Sequence, residues 1–325
     1  MDSRFSMGST RLRPRLSSFP SRRLKDRLAS GGFFVITVLP LILLLAMILA
    51  LIARSLPILE IKPIGELLTG RIWKPLQGLF GFFPFIVGTF WVTVTALIVA
   101  VPPCILSAIY LAEYCRSHTV AIVKPLLDLL AGIPSVVYGV WGVVAIVPWV
   151  QSIKPFFSRW FGFIPLFVSD NPTGFSILAG GIVLAVMIVP FIIAVAFEVL
   201  RAVPNDARQA SLALGATRWQ TIRYAVLPQS LPGIVAGIVL GASRALGETM
   251  AVLMVVGNVA KIPTSIFDPA YPLPALIANN YGEMLSIPLY DAALLGAALV
   301  LLLVVLFFNI ISTLVLRQFI RRSKV

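Results

Sequence analysis

Long uncharged apolar runs alternate along the chain with short basic stretches, and each run has about the length a helix needs to cross a bilayer. Crossing hydrocarbon takes about 20 predominantly apolar residues, and Phe33 to Ala53 supplies 21 without a single charge. The same reading predicts further spans over Phe85–Tyr110, Ile122–Val147, Phe175–Leu200, Gly233–Val256 and Ala292–Leu316. Pro40 and the pair Pro102 and Pro103 are expected kink points. A signal peptide has an apolar core of only about 7 to 15 residues, so the first run is expected to be a retained anchor. Six spans put both termini on one side.

Composition agrees. A 325-residue chain that is 59% hydrophobic and only 12% charged lies outside the range of soluble domains. The expected fold is an all-α integral membrane protein with six transmembrane helices. The net charge of +13 follows topology and is not interleaved with aromatics as in a nucleic-acid surface. Eighteen of the 26 basic residues fall in the termini and in segments 113–124 and 201–227, against seven in segments 54–84, 151–174 and 257–288. Basic loops face the cytoplasm, so both termini are expected there, with a basic arm over residues 1–30, disordered or bound to the membrane surface, and a membrane domain over 31–325. Cys104 and Cys115 read as packing residues, and the lone His118 has no ligand company.

Within this hydrocarbon, Arg244 and Glu248 stand four residues apart in Gly-Ala-Ser-Arg-Ala-Leu-Gly-Glu-Thr-Met-Ala-Val. A continuous helix would put both on one face, within reach of each other. Ionisable groups in a span are costly and point to function by default. A structural ion pair and a transport site both fit the spacing.

Between the fourth and fifth spans, residues 201–227 are too polar to cross and too regular for a slack linker. Pro204 and Asn205 favour a helix start. Leu212, Ala216, Trp219, Ile222 and Val226 recur at helical spacing, with Arg208, Gln209, Arg218 and Arg223 mostly off that stripe. Gly215 interrupts a helix-forming run at a cost of about 1 kcal/mol relative to alanine, which suits a turn between two short helices. A surface-bound amphipathic helix and an elbow fitted to a partner's groove are the two readings.

The segment QASLALGATRWQTIRYAVLP resembles the loop shared by permease subunits of bacterial ABC importers. Ala210, Gly215, Leu227 and Pro228 match its pattern in register, while Gln209 stands where Glu is usual, Ser211 replaces an Ala and Ala225 an Ile. YLAEY (110–114), LLAGIPSVVYGVWG (129–142) and GASRALGETMAVLMVVGN (241–258) together resemble the phosphate-specific importer, closer to its PstC-type permease than to its PstA-type one. That resemblance implies a type I importer permease (MetI-like) architecture in a bacterial inner membrane. It also implies a PstA-type second permease, a dimeric cytoplasmic ATPase and an extracytoplasmic phosphate-binding protein as partners. It assigns translocation to Arg244 and Glu248 and ATPase coupling to the loop containing Gln209, Ala210, Gly215 and Ala216.

Arginine offers a planar fork suited to phosphate oxygens, and Glu248 is expected to hold Arg244 when the pathway is empty. Ser135, Tyr138, Ser243, Thr249 and Asn258 are either donors to the pathway, as Ser243 and Thr249 beside the Arg/Glu pair suggest, or interhelical bonds. Asp128 and Glu198 are expected in interfacial or interhelical pairs, and Asp291 at the start of the sixth helix. Gly132, Pro134, Gly139 and Gly142 fit a broken helix or close packing. The chain has no Gly-x-x-x-x-Gly-Lys-Ser/Thr segment, so it is expected not to be an enzyme and to hold no cofactor, with ATP and Mg bound by the ATPase partner. Sulfate or molybdate as cargo, an ion-coupled secondary transporter and a membrane phosphate sensor are the alternatives.

Overall fold

A computed structural model describes residues 20–283, 287 and 289–322, so the first nineteen residues of the expected basic arm lie outside the described residues. The chain divides into two compact units, residues 1–50 and 51–325. In the first, helix α1 (Pro20–Ile61, which continues into the second unit) begins inside the expected arm, so its residues from Pro20 are helical. Its apolar side chains from Phe33 to Leu49 are largely exposed, as suits a helix solvated by lipid.

The second unit follows with α2 (Ile64–Thr69), a small antiparallel hairpin of β1 (Trp73–Lys74) and β2 (Leu79–Phe80), and α3 (Phe83–Ile109). Then come α4 (Ser117–Gly132), α5 (Ser135–Trp141), α6 (Val147–Trp160) and α7 (Ile177–Ala202). The chain continues through α8 (Asn205–Ala213), α9 (Arg218–Thr221), α10 (Leu227–Leu246), α11 (Met250–Val255), α12 (Leu273–Asn280) and α13 (Tyr290–Arg322). Among the described residues, six helical stretches are long and apolar enough to cross a membrane: Arg27–Ile61, Phe83–Tyr114, Ser135–Trp160, Ile177–Ala202, Arg218–Leu246 and Tyr290–Leu314.

Several boundaries differ from the hydropathy reading, most consequentially in the third and fifth spans. The third span starts at Ser135 and not at Ile122, because the chain breaks at Ile133, which is extended at φ −66° and ψ 129°. The ring of Pro134 disfavours helical backbone at the residue before it. The Tyr138 hydroxyl donates to the Leu130 carbonyl (2.8 Å) across that break. The fifth span begins earlier, at Arg218, and its helix stops at Leu246 instead of running to Val256. Pro102 and Pro103 lie inside α3, which runs on through them.

Helix α7 is the axis of the larger core. Ile177, Leu184, Ile188, Ile192, Ala196 and Leu200 are each at most 1% exposed and recur on one helical face. Ser176 caps its start, its hydroxyl accepting from the Ala179 amide (3.2 Å). Helix α10 meets α7 through Gly233, Gly237 and Gly241, spaced every four residues. A Cβ at these positions would stand 2.4 Å from Val199, 3.0 Å from Val195 and 2.8 Å from Ile192. Small residues let backbones approach where hydrocarbon gives no hydrophobic drive. Gly241→Leu should therefore cost at least the 1–3 kcal/mol typical of overpacking, since Ile192 is fully buried, while Gly241→Ala costs clearly less. Thermal unfolding of the two variants in detergent checks the order, and equal midpoints would refute this account of the stripe.

Around Trp73, a second cluster gathers Phe80, Phe85 and Tyr290, with the Trp73 and Phe85 rings edge to face at 5.1 Å. Between α6 and α12 the loops are tied by Asp268, whose carboxylate accepts from Ser169 Oγ (2.5 Å) and from the Thr264 and Ser265 amides (2.9 and 3.1 Å). Burial pushes this carboxyl up, but the hydrogen bonds outweigh it and hold the group below its ordinary range.

Candidate functional site

Arg244 lies in the last turn of α10, where a cation is favoured by the helix dipole. The helix closes with the Gly247 amide on the Arg244 carbonyl (3.2 Å) and the Glu248 amide on that of Ala245 (3.3 Å). Gly247 to Thr249 are non-helical, and α11 resumes at Met250. The expected helical pairing of Arg244 with Glu248 is therefore not made: spacing of four residues brings side chains together only if the helix continues between them. Among the described residues the ion pairs are Lys124–Glu198 and Arg208–Glu113.

The Arg244 guanidinium instead lies over the ring of Phe191 on α7, 4.0 Å from its centroid, and the residue is exposed. The ring lies against the cation on one side, and among the described residues no side chain pairs with it, which leaves its donors to a ligand. Glu248 is half-buried, with Thr89, Thr93, Pro272 and Pro274 around a small cavity beside it. Its carboxylate accepts from the Ala251 amide at 3.5 Å, in the first turn of α11.

The other expected pathway groups separate. The Ser243 hydroxyl donates to Asn309 Oδ1 (2.7 Å) in the middle of α13, so it bonds helix to helix. Thr249 stays in the break and donates to the Gly247 carbonyl (3.3 Å). Asn258, at φ 53°, donates to the Leu253 carbonyl (2.8 Å) and closes α11. Gly139 and Gly142 serve close packing, against Met254 and against Val183 and Val255, whereas Gly132 and Pro134 mark the true break between α4 and α5. Glu198 pairs with Lys124 between α7 and α4, both more than 40% exposed, a placement worth about 0–1 kcal/mol. Asp128 is exposed on α4, and Asp291 sits in the first turn of α13.

At the polar loop, α8 and α9 form two short helices joined where Gly215 adopts φ +82°. Glycine enters this left-handed region without the penalty of a Cβ. Thr217 and Gln220 make a reciprocal capping box that starts α9. The hydroxyls of Ser211 and Thr221 lie 3.0 Å apart and hold α8 to the end of α9. The predicted apolar stripe divides: Ile222 and Val226 are buried, whereas Leu212 and Trp219 are about half exposed and Leu214 is 90% exposed. Gln209, Ala210 and Gly215 are on the exposed surface, with Ala216 half-buried.

Sequence reasoning missed Phe191, Asn309, Glu113 and the role of Arg208. Arg208 Nη2 donates to Glu113 Oε1 at 2.8 Å, rooting the loop on the end of α3. The one local signal was a lone acid in YLAEY, at the end of a long uncharged run.

A chain with this geometry has relatives among known proteins. The family described as binding-protein-dependent transport system inner membrane component matches residues 104–325. The phosphate transport system permease protein PstC of Pasteurella multocida is 40% identical over 236 residues, covering 71% of this chain and 73% of that protein. The "Probable ABC transporter permease protein YqgH" of Bacillus subtilis is 35% identical over 318 residues, 95% of this chain and 96% of that protein. A chain from the crystal structure of a bacterial alginate ABC transporter, in complex with an alginate pentasaccharide-bound periplasmic protein, is similar in fold, with a TM-score of 0.56 and 20% identity. That likeness covers 90% of this chain and 98% of the other.

Proposed function

We infer, from a chain that belongs to the binding-protein-dependent transport system inner membrane components and within them to the PstC-type permeases, that it moves inorganic phosphate across the membrane as one subunit of an ABC importer. It is a multi-pass membrane protein and a transport component. The observation that carries the translocation reading is the exposed Arg244 guanidinium at the break between α10 and α11. Interrupted helices within a membrane domain are where transporters place substrate groups. A phosphate anion meets there a delocalised cation with paired donors. Phe191 is the resting contact of that cation. Glu248, four residues on and unpaired with it, weakens the hold on a second negative charge, so the anion can leave. Thr249 is the hydroxyl of the set that remains in the break, and Ser243 supports Arg244 from behind through Asn309.

Movement is driven by ATP hydrolysed elsewhere. The chain lacks a phosphate-loop motif, and ATP and Mg are assigned to a dimeric cytoplasmic ATPase. That ATPase docks on Gln209, Ala210, Gly215 and Ala216, with Leu212, Leu214 and Trp219 as the apolar contacts. Both termini then face the cytoplasm, including the basic arm over residues 1–30. A PstA-type permease completes the pathway, and an extracytoplasmic phosphate-binding protein delivers cargo to the loops tied by Asp268.

Reconstitution of the chain with a second permease, an ATPase and a binding protein in liposomes tests the reading. ATP-dependent uptake of phosphate that sulfate and molybdate do not displace is expected. Uptake of sulfate or molybdate without phosphate would reassign the cargo. Uptake by this chain alone, driven by a proton gradient without ATP, would make it a secondary transporter and end the proposal.

A further inference from the structure

The loop is joined to the bundle by more than the chain itself. The Arg208 side chain on α8 bonds to the turn at Glu113, to the end of α7 and to the first residue of its own helix. Nη2 and Nε both donate to Glu113 Oε1, at 2.8 and 3.3 Å. Nη2 also donates to the Leu200 carbonyl (2.8 Å), and Nη1 to the Val203 carbonyl and to Asn205 Oδ1 (3.4 Å). Leu200 is in the last turn of α7 and Val203 follows its end; the Leu200 carbonyl also accepts from the Val203 amide (3.4 Å), so the guanidinium adds a second bond to the cap of that helix.

Glu113 is held in turn. It lies in a wide helical turn, Tyr110–Tyr114, closed by the Cys115 amide on the Tyr110 carbonyl (3.0 Å). Its backbone carbonyl accepts from Arg218 at the start of α9, and the Arg218 guanidinium lies 4.9 Å from the centroid of the Tyr114 ring. Both short helices of the loop are thus fastened to the same five residues. The side chains of Arg208 and Glu113 are 17% and 9% exposed, against 49% and 61% for Lys124 and Glu198. An exposed pair contributes little, whereas a buried one cannot lose a partner without leaving an uncompensated charge.

We infer that Glu113 and Arg208 are positioning residues for transport, forming the joint through which movement of the loop reaches α3 and α7; the inference rests on reading the chain as an importer permease. The line of force is short. From Leu200, which Arg208 caps, to Phe191, on which Arg244 rests, is nine residues of unbroken α7, about 13 Å at 1.5 Å per residue. A displacement of α8 and α9 as a body carries the end of α7 with it, and the aromatic seat of Arg244 rides on the same helix. Without the joint, the loop keeps its chain link through Val203 and Pro204 and its apolar packing of Ala207, Ile222 and Val226 near Phe197 and Leu200, but it loses the directional bonds that fix α8 to the end of α7.

The test uses the complete complex in liposomes and measures phosphate uptake, ATP hydrolysis and ATPase retention on the same preparation. For Glu113→Gln, the ATPase is expected at unchanged stoichiometry while phosphate moved per ATP falls at least tenfold. Arg208→Lys keeps the charge pair but loses the fork that reaches the carbonyls of α7, and should fall by a smaller factor. Lys124→Gln, which breaks the exposed pair, should leave the ratio unchanged. An unchanged ratio in Glu113→Gln overturns the inference. So does parallel loss of ATPase binding in both joint variants, since the pair would then serve docking or folding alone. If the unsubstituted complex moves a different anion, the cargo assignment fails, and the ratio for that anion still decides the joint.

Discussion

Arg244→Gln is expected to reduce phosphate uptake by the reconstituted complex to below about 1% of the unsubstituted rate, with assembly intact. Two magnitudes decide this. A hydrogen bond to a charged group is worth about 1.5–3 kcal/mol, so removing a bidentate guanidinium from the anion at the barrier forfeits about 3–6 kcal/mol. At about 1.4 kcal/mol per decade, that is about a hundredfold to ten-thousandfold in rate. Stability bears far less. Arg244 is exposed and has no ion-pair partner among the described residues, so the substitution leaves no buried carboxylate behind. Its contact with Phe191 is worth about 0.5–1 kcal/mol at an exposed position. Arg244→Lys should fall between the two, because it keeps the charge and loses the planar fork. Uptake of labelled phosphate, with co-purification of the partner subunits as the assembly control, is the measurement. Normal uptake by Arg244→Gln would remove the translocation role.

That prediction depends on a feature the sequence displayed only in part. Hydropathy found six membrane-crossing helices because a span's length and lack of charge are summed over many residues, so no single misjudged position matters. Helix ends depend on one or two residues, which a sum over many positions blurs. Gly132 and Pro134 announced a break, but the apolar residues of α4, among them Ile122, Leu126 and Leu129, extended the hydropathy run across it. In the fifth span, a lone glycine at 247 costs a helix only about 1 kcal/mol and does not by itself predict its end. The Arg244–Glu248 ion pair rested on that continuity and fell with it. Gly215 was readable because its cause is local: a left-handed residue has few chemical solutions. Ser243 with Asn309 and Arg208 with Glu113 join residues 66 and 95 positions apart. Nothing in the composition around either residue names its partner, and only packing of the helices brings them together.

Gly215→Glu is expected to release the ATPase from the permease while the permease itself still folds. At φ +82° any L residue is strained by about 1–2 kcal/mol. No atom stands within 4 Å of a Cβ built there, so crowding adds nothing. The larger effect lies on the docking side. The new carboxylate would be added to a loop whose Leu212, Leu214 and Trp219 are exposed, and an unpaired charge desolvated in an interface costs several kcal/mol. At about 3 kcal/mol or more, binding weakens at least a hundredfold. Gly215→Ala separates the two causes, since it carries the backbone strain without the charge and should retain the ATPase nearly in full. Co-purification of tagged permease with ATPase at matched expression reads both variants. Stoichiometric binding by Gly215→Glu would remove docking from this face. Equal loss in Gly215→Ala would place the effect in the turn between α8 and α9, because the shape of the elbow would then matter more than the chemistry it presents.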